Sequence, residues 1–311
     1  MNTKYNPDFK EHSIDAVVLA GKSKLIVKDK PNITYFYSPL HNPYSFASYP
    51  IENISPQESI NKENIDYKAI IKINNKPMVN YVVEALTESN YVNNIYIVGE
   101  KDQLNKTDLS RRKEKIKFVS DKGSFIDNLI VGGNKAKSKK ILYSTCDIPL
   151  MTSKDVDNFI AGCSHRSNGD FYLAYYLKED YEKNFSGVKS GKFYQLGEKF
   201  IKNSCIFMFD KDFLNEINQN KEFQKIISYL YSQRKSSLKL FVTLAKYHLF
   251  NLVSKYIFKN LTIEEAEKIL YEKTGYHFYG IEDSIRAGID IDSIEELQNI
   301  EKIMKKEQNL H

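Results

Sequence analysis

The stretch Ile14–Leu25, IDAVVLAGKSKL, decides how the rest of the chain is read. Its run of consecutive apolar residues describes a strand buried on both faces, the pattern of a parallel sheet. The run ends in Ala20-Gly21-Lys22-Ser23, a small-residue turn of the kind whose backbone N–H groups face a phosphate. Only one glycine is present. Lys22 stands where a second glycine would allow the closest backbone approach, and it offers a point charge rather than a bidentate fork. A working nucleotide loop, a variant of one and an ordinary strand end all remain open at this point.

Outward from this stretch, short apolar runs alternate with helical periodicity. Ala69–Ile73 (AIIKI), Asn94–Gly99, Ile116–Val119 and Lys140–Cys146 read as strands. Pro77 opens a helix, Ser124–Ala136 reads as a second although Gly132 and Gly133 weaken it, and Thr152–Ala161 reads as a third. Further strands are expected at Asp170–Leu177, Ser204–Phe209 and Ile289–Ile291. Residues 211–274 read as helical throughout, with a capping box at Thr262 and Glu265. Ser293 caps a last helix, Ile294–Lys305. This order predicts an α/β, three-layer fold with a mostly parallel sheet covered on both faces and a helical block toward the C-terminus. One domain over residues 1–311 is expected, with a proline-rich loop insert or lid at 25–67 and a helical subdomain at 211–274.

The 311 residues are 41% apolar and 27% charged, as in an ordinary globular protein. The net charge of +5 comes without a polybasic tract, which points away from nucleic acid and toward small anions. Three cysteines without metal-ligand spacing suit a reducing, cytoplasmic setting. The opening MNTKYNPDFKEH has no apolar h-region, and no run is long and apolar enough to span a membrane. Phe241, Leu244, Leu249, Phe250, Val253 and Ile257, with Lys246 and Lys255 between them, fit a packed helical hairpin or a peripheral membrane helix. Tyr172, Tyr175, Tyr176, His248 and His277 read as structural. Monomer and homodimer are both open.

Two carboxylate clusters carry chemistry. Asp147 follows the strand ILYSTC, and Asp290 and Asp292 flank Ile291 near the C-terminus. In an open parallel sheet, ligands sit at the carboxyl ends of strands. Two hard oxygen donors from separate strand ends suffice for Mg²⁺, which takes the remainder of its shell from phosphates and water. Any one of these aspartates alone reads equally as a turn or helix-cap residue.

Taken in order, AVVLAG, KAIIKINNKPMVNYVVEAL, NIYIVGE, CDIPLMTSKDVDNFI and IDIDSIEELQ resemble the nucleotidyltransferase family, MobA-like NTP transferases with a GT-A-like fold. Within it the likeness is to sugar-phosphate and alcohol-phosphate nucleotidyltransferases. The resemblance runs from Ile14 to about Leu297, and it implies a Rossmann-like fold with a mixed, mostly parallel sheet and a C-terminal helical insertion. It implies an Mg²⁺-dependent enzyme that joins an NTP to a phosphorylated small-molecule acceptor and releases pyrophosphate. It implies further that Ala20, Gly21, Lys22 and Ser23 face the triphosphate, with Gly123 and Ser124 at the nucleotide. Lys68 would contact phosphate, and Lys22 would add charge. Asp147 and Asp292 would hold metal, with Asp290 as the alternative to Asp292, and Asn203 would approach the acceptor. The chain departs from the family at Lys22, at the missing arginine before Arg111, and at Ile294, where proline is usual. Two other readings stand beside it. One is a GT-A glycosyltransferase using Asp290-Ile291-Asp292 as Asp-x-Asp. The other is a catalytically weakened nucleotide-binding homologue.

Overall fold

The computed structural model describes residues 9–11, 13–23, 25, 67–105, 107–109, 113–185, 191–233 and 249–308. Its core is a twisted sheet in the order β10-β7-β9-β6-β1-β4-β5, with β8 added on β9. The strands are β1 (Ile14–Ala20), β4 (Val92–Gly99), β5 (Ile116–Ser120), β6 (Lys140–Thr145), β7 (Phe171–Leu177), β8 (Tyr194–Leu196), β9 (Lys199–Asp210) and β10 (Phe278–Glu282). β2 (Lys72–Ile73) and β3 (Lys76–Pro77) form a separate hairpin. β1 lies at the centre, parallel to β4 and β6, and all seven of its residues are buried. β4 pairs in parallel with β5, and β10 with β7, whereas β9 runs antiparallel to β6, β7 and β8. The sheet is mixed, as the resemblance implies.

Alternate residues of β1 serve opposite faces, as a period of two requires. Ala16, Val18 and Ala20 pack with α1 (Met78–Glu88) and, past the short α2 (Lys101–Leu104) and α3 (Phe125–Lys135), with α4 (Ser153–Ser164). Val17 and Leu19 pack with α3 and, beyond α5 (Lys178–Asn184), with α6 (Lys211–Gln219). The remaining helices are α7 (Lys221–Gln233), α8 (Phe250–Ile257), α9 (Ile263–Thr274) and α10 (Ile294–Gln308). Gly132 and Gly133 let α3 lie close on the sheet. A Cβ at Gly132 would come within 2.8 Å of Val98, and one at Gly133 would collide with the Tyr143 hydroxyl and Leu214. The residues that weaken α3 as a helix are the ones that let it pack.

Several expectations change. Ala69–Ile73 is not one strand: Lys68–Ile70 is a 3₁₀ turn, and only Lys72–Ile73 pairs, in the β2–β3 hairpin. Asn74 and Asn75 both take positive φ, 48° and 66°, which makes a two-residue hairpin turn where the sequence suggests a continuing strand. Pro77 is the N-cap of α1 rather than its first residue. Ile289–Ile291 is not a strand but an extended connection, tied down by Ile291 N–H donating to the Asp147 carbonyl at 3.0 Å. The C-terminal strand is β10 instead. β9 is twice the expected length and starts before Asn203.

Among the described residues, 211–274 breaks into α6, α7, α8 and α9, and the Thr262–Glu265 capping box is present. Ser293 and Glu296 cap α10 reciprocally. Residues 26–66 of the expected insert, and Arg111, Phe241, Leu244, Lys246 and His248, lie outside the described residues. Among the described residues no helix is long and apolar enough to cross a membrane.

The close approach of α3 gives a stability test. Gly133→Ala should raise intrinsic helix propensity yet lower unfolding free energy by about 1–3 kcal/mol through overpacking against Tyr143. Urea denaturation that finds the variant more stable would contradict the packing assignment.

Candidate active site

β1 and β6 run in parallel and end together, with Leu19 opposite Thr145. Tyr67-Lys68 enters at this end. The Tyr67 hydroxyl donates to the Ala20 carbonyl at 2.5 Å and accepts from Glu100 N–H at 3.0 Å, and Lys68 N–H donates to the Ser23 carbonyl at 3.0 Å. The Lys68 side chain is therefore delivered into the sheet from a pinned backbone.

There its ammonium donates to Asp147 Oδ2 (2.9 Å), the Ile291 carbonyl (2.9 Å) and Asp292 Oδ1 (2.6 Å). A lysine has three N–H donors, and all three are committed. Burial opposes the charge on Lys68, but Asp147 and Asp292 outweigh it and raise its pKa above the ordinary lysine value. Lys68 thus acts by drawing together the two carboxylates expected to hold metal. The resemblance implies a phosphate contact for it, and in this arrangement the ammonium faces carboxylates instead.

Asp292 is positioned by Glu296, whose carboxylate accepts from Asp292 N–H and Ser293 N–H, each at 2.8 Å. Asp290 points elsewhere: its Oδ1 lies 3.8 Å from the Lys202 ammonium. Burial raises the Asp290 pKa, Lys202 opposes the rise, and Asp292 and Asp147 add to it. The three carboxylates therefore share one field. The two members of Asp290-Ile291-Asp292 face different lysines.

The donor set fits Mg²⁺. Asp147 Oδ1 is buried without a hydrogen-bond partner among the described residues, and the oxygens are hard donors. Among the described residues no three His, Cys, Asp or Glu side chains group as a protein-only metal cage, which Mg²⁺ in phosphate sites does not need.

On the other side of β1, Asp121 joins two loops. Its Oδ2 accepts from Lys22 N–H (3.0 Å), and its Oδ1 accepts from Gly123 N–H (2.6 Å) and Asn128 Nδ2 (2.8 Å). Asn128 Oδ1 in turn accepts from Lys122 N–H at 2.7 Å. A Cβ on Gly21 would lie 2.7 Å from Asn128 Nδ2 and 3.0 Å from Asp121 Oδ2, so a side chain there would push this hydrogen-bonded pair aside. Gly21, Lys22 and Ser23 are thereby brought beside Gly123 and Ser124, with Lys22, Gly123 and Ser124 exposed. Lys22 N–H is engaged by protein. Ser124 caps α3, accepting from Asp127 N–H, which is the bland alternative to a nucleotide contact.

Asn203 is exposed on β9 opposite Tyr175, while its neighbour Lys202 faces Asp290. Asp121, Asn128 and Lys202 were not legible as site residues. For Asp121 the only signal is its place before Lys122-Gly123, a turn sequence.

A mixed Rossmann-like sheet with this glycine turn and a lysine between Asp147 at a strand end and Asp292 on the C-terminal connection defines the class: it is the fold of the nucleotidyltransferases. Residues 65–226 match the model of the MobA-like NTP transferase domain, and the chain belongs to that family. The matched span contains Lys68 and Asp147; the Ile14–Ser23 loop and Asp290–Asp292 lie outside it. Among solved structures, a hypothetical transferase from Thermus thermophilus is 19% identical with a TM-score of 0.64, covering 91% of this chain and 98% of that one. A CMP:2-keto-3-deoxy-manno-octonic acid synthetase complexed with CTP is 12% identical with a TM-score of 0.52, covering 95% and 99%. At such identities the likeness is one of fold. No curated protein sequence matches the chain.

The Asp121 clip has a pH signature. Burial works against its ionisation, but the hydrogen bonds from Gly123, Asn128 and Lys22 prevail and hold its pKa below the ordinary carboxylate value. A group with a depressed folded pKa contributes stability above the unfolded pKa of about 3.9 and loses it as pH falls through the folded value. Asp121→Asn should therefore be less stable than the parent at pH 7, with the gap closing in acid below about pH 3.9. Chemical denaturation across that range checks this, and a pH-independent gap would contradict it.

Proposed function

We propose that the protein transfers a nucleotidyl group from an NTP to a phosphorylated small molecule, with Mg²⁺ and with release of pyrophosphate. The observation that carries this reading is the Lys68 ammonium between Asp147 and Asp292, with Asp147 Oδ1 buried and without a hydrogen-bond partner among the described residues. In the reaction, an acceptor phosphate oxygen attacks the α-phosphorus in line. The new P–O bond forms as the bond to the bridging oxygen breaks, and pyrophosphate leaves with that electron pair.

Such a transfer needs positioning and positive charge rather than a covalent nucleophile. Asp147 and Asp292 would hold Mg²⁺, which when bound neutralises phosphate charge and orients the reacting oxygens. Lys68 holds both carboxylates in place. The Gly21–Ser23 turn and the Gly123–Ser124 turn, joined by Asp121, form the surface on which the nucleotide rests. Lys22, exposed at that surface, supplies charge to the triphosphate. CTP is the first nucleotide to test, because the synthetase with the same fold is described with it.

Purified protein with Mg²⁺, a panel of NTPs and phosphorylated acceptors should release pyrophosphate. Asp147→Asn should lower that rate ~10³-fold, equivalent to about 4 kcal/mol of transition-state stabilisation. No release on a broad panel, despite tight NTP binding, would favour a weakened nucleotide-binding homologue. Hydrolysis of a nucleotide-sugar instead would support the glycosyltransferase reading.

Lys22 gives a separate test. Lys22→Ala should weaken NTP binding about tenfold, and Lys22→Gly should not restore it, since charge is what is lost. Equal or better binding by Lys22→Gly would show that the side chain only obstructs the turn.

A further inference from the structure

β6 and β9 pair as far as Ser144 and Ile206 and then part. Beyond that point Thr145, Cys146 and Asp147 lie on one side and Lys202–Cys205 on the other. On the far side of β9 the pairing with β7 shifts register between Leu173 and Tyr175, and Lys202 comes to lie opposite Tyr176. The connection Gly288–Asp292 crosses the end of the opening, with Ile291 held to Asp147.

Lys202 stands in this opening as the second lysine beside the carboxylates. Its side chain is only 22% exposed. Gly191, the Tyr176 ring and Asp290 surround its ammonium, which also acts electrostatically on Tyr194. Lys68 is held by three hydrogen bonds. Lys202 lies 3.8 Å from Asp290 Oδ1, beyond hydrogen-bond length, and its hydrogen bond is to the Tyr176 hydroxyl, so fewer of its three N–H donors are committed than on Lys68. An ammonium in that setting keeps donors for a ligand. A second polar group is close by: Ser204 Oγ is buried without a hydrogen-bond partner among the described residues. Both it and the Tyr176 ring lie against Gly288, where a Cβ would be 3.3 Å from Ser204 Oγ.

We infer that Lys202 binds the phosphate of the acceptor, and that this residue selects a phosphate monoester over a sugar acid or a neutral alcohol. The inference rests on the proposed transfer for its meaning but not for its measurement. Lys68 is committed to carboxylates and Lys22 lies at the nucleotide turn, so Lys202 is the cation placed to receive an anion on the β9 side. Asp290 competes with that anion for the same ammonium and sets its affinity.

The probe is inorganic phosphate, titrated calorimetrically into the full chain without Mg²⁺, with acetate as the carboxylate control. Lys202→Gln should weaken phosphate binding at least about tenfold, the loss of a charge-assisted hydrogen bond. Lys202→Arg should retain it. Asp290→Asn should tighten it, an effect that a purely structural Lys202–Asp290 pair would not produce. Unchanged phosphate binding in Lys202→Gln with its thermal unfolding intact, or acetate binding as tightly as phosphate, would overturn the assignment. Lys202-dependent phosphate binding without pyrophosphate release on any panel would leave the assignment standing and remove the transferase reading alone.

Discussion

One ammonium group organises the catalytic end of this fold. Lys68 bonds at once to Asp147 after the central strand β6 and to Ile291 and Asp292, which lie more than two hundred residues further along the chain. Without a cation there, Asp147 and Asp292 would face each other in a partly desolvated cleft, and like charges so placed push one carboxylate toward protonation. The lysine places a positive charge between them and fixes the approach of the C-terminal connection to the sheet. Removing one partner of such a buried pair leaves an uncompensated charge, a loss of about 3–5 kcal/mol in comparable sites. The arrangement therefore ties geometry to charge.

The electrostatic layout follows from that constraint. Three carboxylates and two lysines share the acidic half of the cleft. The other half is built from backbone N–H groups, the Asp121 clip and exposed Lys22. A divalent cation and polyphosphate brought together would balance what each half lacks. The Asp121 clip and the Lys68 contact each tie connecting segments to a strand end by several hydrogen bonds at once. Rigid placement of this kind is what a reaction driven by positioning requires.

Much of this was legible in the sequence, and the exceptions have physical causes. β1 and β6 were readable because a fully buried parallel strand is apolar without interruption, and Asp147 because it follows such a run. Ala69–Ile73 misled because Ala69, Ile70, Ile71 and Ile73 are all buried, as strand residues would be, although only Lys72 and Ile73 pair as a strand. Burial, not pairing, set its composition. Ile289–Ile291 misled for the same reason. β10 escaped notice because an edge strand rich in aromatic residues carries no clean alternation. Lys202 was hidden because KFIKNSCIFMF offers several polar residues, and the choice among them depends on where β9 leaves β6. Asn203, singled out by resemblance, is one position away and exposed.

The bond from Lys68 N–H to the Ser23 carbonyl, with Leu25 and Tyr67 both buried, brings two points far apart in the chain to one spot. The stretch of chain between them begins and ends beside that bond. Closing a longer loop through fixed ends adds only about 0.6 kcal/mol for each doubling of its length. The fold thus has a port: sequence can be lengthened, shortened or exchanged there over evolutionary time at little thermodynamic consequence. The anchors on either side of it, Ser23 at the end of the glycine turn and Lys68 at the acidic cluster, keep their places throughout.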